Sequence, residues 1–154
     1  MSYQAPSPAV TNDALALPPG FAPFQPVGGP FMDTNGPLYL LHQGDVIKFG
    51  FRVELRHTNP MGHLHGGMMA SFCDMLLPLS AHRKVDTLAH CFLPTISLQI
   101  DYLAPATLGA WVEGEAQPLR VTRSMVFIQA LVTADGVPCA RTSGVFKIGK
   151  PFHR

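Results

Sequence analysis

Charge is scarce in this sequence. Lys, Arg, Asp and Glu make up 14% of its 154 residues, where an average soluble domain has about 25%. The 47% hydrophobic content excludes intrinsic disorder, and so little charge leaves apolar surface that another subunit is expected to cover. Eleven basic residues against ten acidic ones give a net charge of +1. The basic face that nucleic-acid binding requires is therefore missing. Cysteine is equally sparse: Cys73, Cys91 and Cys139 are odd in number and widely spaced, with no CxxC pair. That pattern fits reduced thiols in a reducing compartment better than a disulfide framework or a thiolate zinc site. No apolar run approaches membrane-spanning length. The opening MSYQAPSPAVTNDALALPPG lacks a basic n-region, and its apolar stretch at 14–17 is too short for a signal peptide. The expectation is a soluble cytoplasmic protein of one domain, without membrane partner, nucleic-acid partner or internal repeats.

What is abundant is proline, unevenly placed. Residues 1–30 hold seven of the fifteen prolines and one charge, Asp13, which suits an extended arm without regular structure rather than a helix or central strand. Phe21, Phe24 and Phe31 are candidates to pin that arm across an apolar surface. The main folded domain is expected over 31–154.

From residue 38 the pattern changes. Residues 46–56 alternate, with Ile47, Phe49, Phe51, Val53 and Leu55 on one face and Lys48, Arg52, Glu54 and Arg56 on the other. This predicts a half-buried antiparallel strand. Residues 37–42 read as its hairpin partner, joined through Gln43, Gly44 and Asp45. Beyond the turn-rich HTNPMGHLHGG, the residues Met69, Phe72, Cys73, Leu76, Leu77 and Ser80 recur at helical spacing. A helix is predicted from near Gly66, kinked by Pro78 or losing its regular part near Leu77, with Arg83 and Lys84 suited to its C-terminus. Four more strands follow at 95–103, 110–118, 124–134 and 137–148, the last two joined by a strong Asp135-Gly136 hairpin signal. Short connections imply an antiparallel meander. One apolar helix among such strands buries itself only by lying across the sheet, giving an α+β fold with a curved sheet wrapped around a central helix.

Gly66 and Gly67 at the helix start leave backbone N–H groups unobstructed, so the helix terminus is a candidate oxyanion hole. Asp74 lies about two turns further along, among Met, Ala, Phe, Cys, Leu and Pro. Two readings of this carboxylate stay open. It anchors structure by bonding a hydroxyl or amide, or it opens onto a cleft at a subunit boundary and activates water or attacks an acyl carbon. His57, His63 and His65 with Asp74 invite a metal site, but the segment is glycine-rich and offers no nearby second carboxylate, so no metal is expected. Cys73 reads as a core thiol rather than a nucleophile. Arg120, Arg123, Arg141, Lys147, Lys150 and Arg154 are candidate phosphate contacts, and serve equally as solvated charges.

The run HTNPMGHLHGGMMASFCD, preceded by GPLYLLHQGDVIKFGFRVEL and followed by TISLQIDYLAPA, resembles the hotdog-fold acyl-CoA thioesterases of the PaaI-like family over residues 36–148. The likeness rests on an HGG with Asn59 six residues before His65 and Asp74 nine after it. It implies that the Gly66 amide polarises a thioester carbonyl while Asp74, from a facing subunit, acts as base or nucleophile. Asn59, His65 and Gly67 would shape the substrate site, and Thr95, seven residues before Tyr102, would position the water or carboxylate. The implied activity is hydrolysis of acyl-CoA to free acid and CoA, without metal or redox cofactor, by a dimer or dimer of dimers with its active site at the subunit interface. A hotdog hydratase acting on acyl thioesters and a non-catalytic acyl-CoA-binding module are the alternatives. Acyl identity is not encoded legibly, because Met68, Met69, Met75, Leu76 and Leu79 suit an aryl ring or a fatty chain alike.

Overall fold

The computed structural model describes residues 16–25 and 29–151. Seven strands and two helices follow one another as β1 (Phe21–Phe24), α1 (Gly29–Asn35), β2 (Leu38–Gln43), β3 (Val46–Arg52), α2 (Gly66–Lys84), β4 (Thr95–Tyr102), β5 (Trp111–Val121), β6 (Met125–Ala134) and β7 (Val137–Lys147). All strands pair antiparallel in one sheet of order β1-β2-β3-β5-β6-β7-β4. This is the expected α+β architecture, the hotdog arrangement of one sheet around one long helix.

Alternation explains which face meets α2. Phe49 and Phe51 of β3, Val112 and Ala116 of β5, Val126, Ile128 and Val132 of β6 and Phe146 of β7 all point inward and are buried. From α2 they receive Phe72, Leu76 and Leu77, each fully buried. Burial of each such side chain is worth about 1.5–3 kcal/mol, so this single helix-on-sheet layer is the core. The β6–β7 turn behaves as its residues demand: Asp135 and Gly136 both take positive φ, 47° and 82°, as a two-residue hairpin of the I′ type requires.

Four expectations need correction. The helix ends at Lys84, where Arg83 and Lys84 suit its C-terminus, but its regular part does not stop near Leu77 and continues with Pro78 inside it. Proline removes one ladder hydrogen bond, yet Leu76, Leu77, Ser80 and Ala81 are buried on both sides of it, and that packing holds the helix together. The strand predicted over 46–56 ends at Arg52, and Leu55–His57 form a 3-10 turn that leaves Leu55 exposed. The backbone N–H of Glu54 donates to the His57 Nδ1 at 3.0 Å, closing that turn. The last four strands are not a simple meander: β4 pairs with β7 at the far edge, while β5 lies between β3 and β6. Residues 103–110 carry the chain back across the fold, tied by Leu103 N–H to Cys139 O, Leu64 N–H to Ala106 O and Gly109 N–H to Val53 O.

The fourth correction concerns the arm. Its described part is regular: β1 pairs with β2 along the sheet edge, and α1 buries Met32. Phe21 meets Trp111 edge-on at 4.9 Å between centroids, and Phe24 meets Phe49 at 5.2 Å. The Arg83 guanidinium lies over Phe24. Phe31 does not pin anything and is 59% exposed. Residues 1–15 of the arm lie outside the described residues. No helix among the described residues is long and apolar enough to cross a membrane.

Neighbouring strands also meet closely where a position lacks a side chain, as β3 and β5 do on the face away from α2. At Gly50 of β3 a Cβ would sit 2.8 Å from the Val112 carbonyl oxygen and 2.6 Å from Cζ2 of Trp111. Gly50→Ala is therefore expected to destabilise the fold by roughly 1–3 kcal/mol. A urea-denaturation midpoint equal to that of the parent protein would contradict this close approach.

Candidate active site

The segment between β3 and α2 is built by its own hydrogen bonds. Asn59 Oδ1 accepts from the N–H groups of Met61 and His63 at 2.9 and 3.2 Å, and the Asn59 N–H donates to the His63 carbonyl. Asn59 thus shapes the turn that delivers the chain to the helix. His65 is the N-cap of α2: its Nδ1 accepts from the Gly67 N–H at 2.9 Å, and its carbonyl accepts from Met68 and Met69. The His65 N–H in turn donates to the carbonyl of the buried His57 at 2.8 Å.

Of the two glycine amides expected to be open, one is engaged. The Gly67 N–H is taken by His65, whereas the Gly66 N–H finds no acceptor among the described residues. Such an unpaired donor in the first turn, at the positive end of a 19-residue helix, suits a developing oxyanion. It borders a cleft of about 410 Å³ whose lining includes Asn59, His63, Met69, Tyr102 and Cys139.

Asp74 is half-buried on α2, and its Oδ1 accepts from the Thr95 hydroxyl at 2.6 Å. The second carboxylate oxygen has no partner among the described residues. Thr95 reaches it through an irregularity: register shifts between Thr95 and Ser97 in the β4–β7 ladder. Regular alternation would put Thr95 on the face opposite Leu98, Ile100 and Tyr102. The bulge turns it to the helix side, opposite the buried Phe146. Asp74 does not line the cleft at Gly66. Eight residues of helix separate the two, about 12 Å along the axis.

The other candidates fall out of the centre. His57, His63 and His65 do not gather: both His57 nitrogens are engaged, with Glu54 N–H and Asn35 O, and His65 is the helix cap. Among the described residues no group of three His, Cys, Asp or Glu side chains is placed to hold a metal. Burial pushes the Cys73 thiol up to about 12 and the Cys139 thiol up to about 11, so both are inert core thiols. A larger concavity, about 540 Å³, lies near the Lys48–Glu113 and Lys84–Glu115 ion pairs. Its charges neutralise one another, and none of the motif residues line it. One residue escaped the sequence reading. Tyr102 donates its hydroxyl to the Gly66 carbonyl at 2.7 Å, and its parity with Leu98 and Ile100 was the signal that it faces the helix.

This fold and this motif define a class. The chain belongs to the thioesterase superfamily, whose family model matches residues 61–140. Among solved structures it resembles the phenylacetic acid degradation protein PaaI from Thermus thermophilus, with 25% identity, a TM-score of 0.62 and coverage of 77% of this chain and 98% of that one. A Streptococcus pneumoniae thioesterase protein solved with coenzyme A shares the fold at 15% identity and a TM-score of 0.65, covering 80% and 98% of the two chains. In sequence, a Pseudomonas aeruginosa protein named "Putative esterase PA0474" is 24% identical over 87% of this chain and 98% of its own. The protein is thus a hotdog-fold, PaaI-like member of the superfamily, and thioester hydrolysis is the activity class that membership supports.

The turn before α2 carries a pH dependence. His57 is buried, and burial first, then the Arg56 charge, hold its pKa below the usual 6.5. In the unfolded chain it protonates near 6.5, so stability is full above that pH and falls as pH drops from 6.5 toward the lowered folded value. His82, also lowered by burial, adds a change of the same sign. Tm measured from pH 7.5 down to 5 should therefore decline, and His57→Gln should flatten part of that decline. A slope identical in the variant would remove His57 as its source.

Proposed function

We propose that the protein hydrolyses an acyl-CoA thioester to the free acid and CoA, working as a homodimer or a dimer of dimers with the site shared between subunits. One observation carries the reading: the open Gly66 amide and the Thr95-bonded Asp74 carboxylate sit about two helical turns apart. Groups that act on one carbonyl carbon must both lie within about 3 Å of the reacting atoms. Within one chain they cannot, whereas a second copy can set the partner subunit's Asp74 opposite Gly66.

The edges of the sheet support this assembly. At one edge, β1 is four residues long and carries Pro23, which blunts further pairing. At the other, β4 presents eight residues, none of them buried, with Ile96 and Tyr102 more than half exposed. A long edge of that kind, whose one charge, Asp101, is already paired with Arg141, invites pairing with another chain.

The chemistry follows from the groups. The Gly66 N–H binds the carbonyl oxygen of the thioester and stabilises the negative charge that develops there. Asp74, oriented by Thr95, takes a proton from water as the water oxygen bonds to the carbonyl carbon, or its own oxygen attacks to form an anhydride that water opens. Collapse breaks the C–S bond, and the CoA thiolate leaves and is protonated. Apolar Leu64, Met69 and Cys139 line the cleft for acyl or pantetheine carbons, while Asn59 and His65 fix the turn around it.

Coenzyme A also needs cations for its phosphates. Arg141 is occupied by Asp101 at 2.7 Å, and Arg154 lies outside the described residues. Lys147 follows Phe146, the register partner of Thr95, and opposes Met125 beside the turn that carries Arg123. This places Lys147 and Arg123 near the Thr95 end of β4 as candidate phosphate contacts. The CoA held by the S. pneumoniae structure is consistent with the same substrate class.

Two measurements test the reading. Asp74→Asn keeps size and most hydrogen bonding but removes the base, so free-thiol release from a panel of short, long and aromatic acyl-CoAs should fall by roughly 10² to 10⁴, with a smaller loss for Thr95→Ala and little change in Tm. A folded Asp74→Asn variant with undiminished kcat would end the assignment. Light scattering at micromolar concentration should give a dimer or larger, and a persistent monomer would rule out the shared site.

A further inference from the structure

We infer that Tyr102 is a positioning residue for the oxyanion-binding amide: it holds the 66–67 peptide, and so fixes the Gly66 residue whose N–H, on the adjoining 65–66 peptide, faces the cleft. The inference rests on the proposed chemistry at Gly66 and extends it to a residue outside the HGG motif.

The geometry is specific. The phenol donates to the Gly66 carbonyl at 2.7 Å across 36 residues of sequence, and its ring lies 3.5–3.6 Å from where a Gly66 Cβ would be. A carbonyl in the first turn of a helix already belongs to the intrahelical ladder, since it is the last four that are orphaned. The phenol therefore satisfies no missing bond, and its effect is to fix orientation. Tyr102 is 57% exposed, so it is no core residue either.

Each neighbouring peptide is held in its own way. On the 65–66 peptide, the His65 carbonyl accepts from Met68 and Met69. On the 66–67 peptide, the Gly67 N–H donates to His65 Nδ1 and the Gly66 carbonyl accepts from Tyr102. Glycine is the residue with most backbone freedom, and without the phenol the 66–67 peptide loses the only one of these clamps that comes from outside the helix start. Partial desolvation against the helix start holds the Tyr102 pKa above its ordinary 10, so the phenol remains a donor through the neutral range.

Tyr102→Phe removes the hydroxyl and leaves the ring. Amide hydrogen exchange on glycine-labelled free protein should be faster at Gly67, whose bonded N–H lies on the clamped peptide, in the variant, with Tm unchanged. With hexanoyl-CoA and benzoyl-CoA, kcat should drop about 3- to 10-fold, the worth of one neutral hydrogen bond, while KM stays within twofold. Unchanged Gly67 exchange overturns the positioning role, as does a kcat equal to that of the parent protein. A loss shared by KM and Tm also overturns it by making Tyr102 merely structural. Exchange is read without substrate, so faster exchange in a protein that hydrolyses no thioester supports the positioning and overturns only the proposed activity.

Discussion

A helix is a rigid ruler, and the rest of this structure depends on what that ruler separates. At about 1.5 Å per residue, α2 holds its first amide and the carboxylate of Asp74 at a fixed distance that no side-chain rotation closes. Packing makes the ruler rigid: Phe72, Leu76 and Leu77 on one side and Phe49, Val112, Ile128 and Phe146 on the other leave α2 one seat on the sheet. Pro78 is tolerated for the same reason, since the burial around it outweighs a single ladder bond. A helix this firmly seated cannot bend to bring its two ends together, so an enzyme using both must bring a second helix.

The strand at the open edge serves both ends of the ruler. Thr95 at the start of β4 bonds Asp74, and Tyr102 at its end bonds the Gly66 carbonyl. β4 is also the strand farthest from the protected β1 edge. The element that would meet a second copy therefore contacts both chemical groups, and under the proposed dimer those groups belong to two different sites. Pairing along β4 would order Thr95 and Tyr102 together, which ties the integrity of each site to assembly rather than to the fold of one chain.

Much of this was legible in the residues, for physical reasons that differ by element. Period-two alternation located β3, because one face of it is buried against α2, helical spacing located α2 for the same reason, and strand-like runs separated by turn residues located β5, β6 and β7. Asp135-Gly136 announced its turn through the backbone angles it prefers. The order of the strands was not legible, because short connections suggest neighbours, yet here residues 103–110 cross the fold and leave β4 beside β7. Nor was β1: a proline-rich segment reads as irregular, although an edge strand tolerates Pro23 where a central one would not.

The candidate site divides along the same line. Gly66 and Asp74 were visible because two glycines at a helix start and a carboxylate in an apolar stretch are each locally odd. Thr95 was visible through a family resemblance, but alternation alone would have faced it away from the helix, and only the bulge at Thr95 and Ser97 brings its hydroxyl to Asp74. Tyr102 looked like an ordinary strand aromatic. Its role depends on where β4 lies relative to the start of α2, a tertiary relation carried by the crossing segment that local pattern could not foresee. The groups that would do chemistry are thus written in local sequence, while those that orient them arise from topology: a bulge at one end of β4 and a crossing loop at the other. Substitutions in those two places would change the geometry of the site while leaving every motif residue intact.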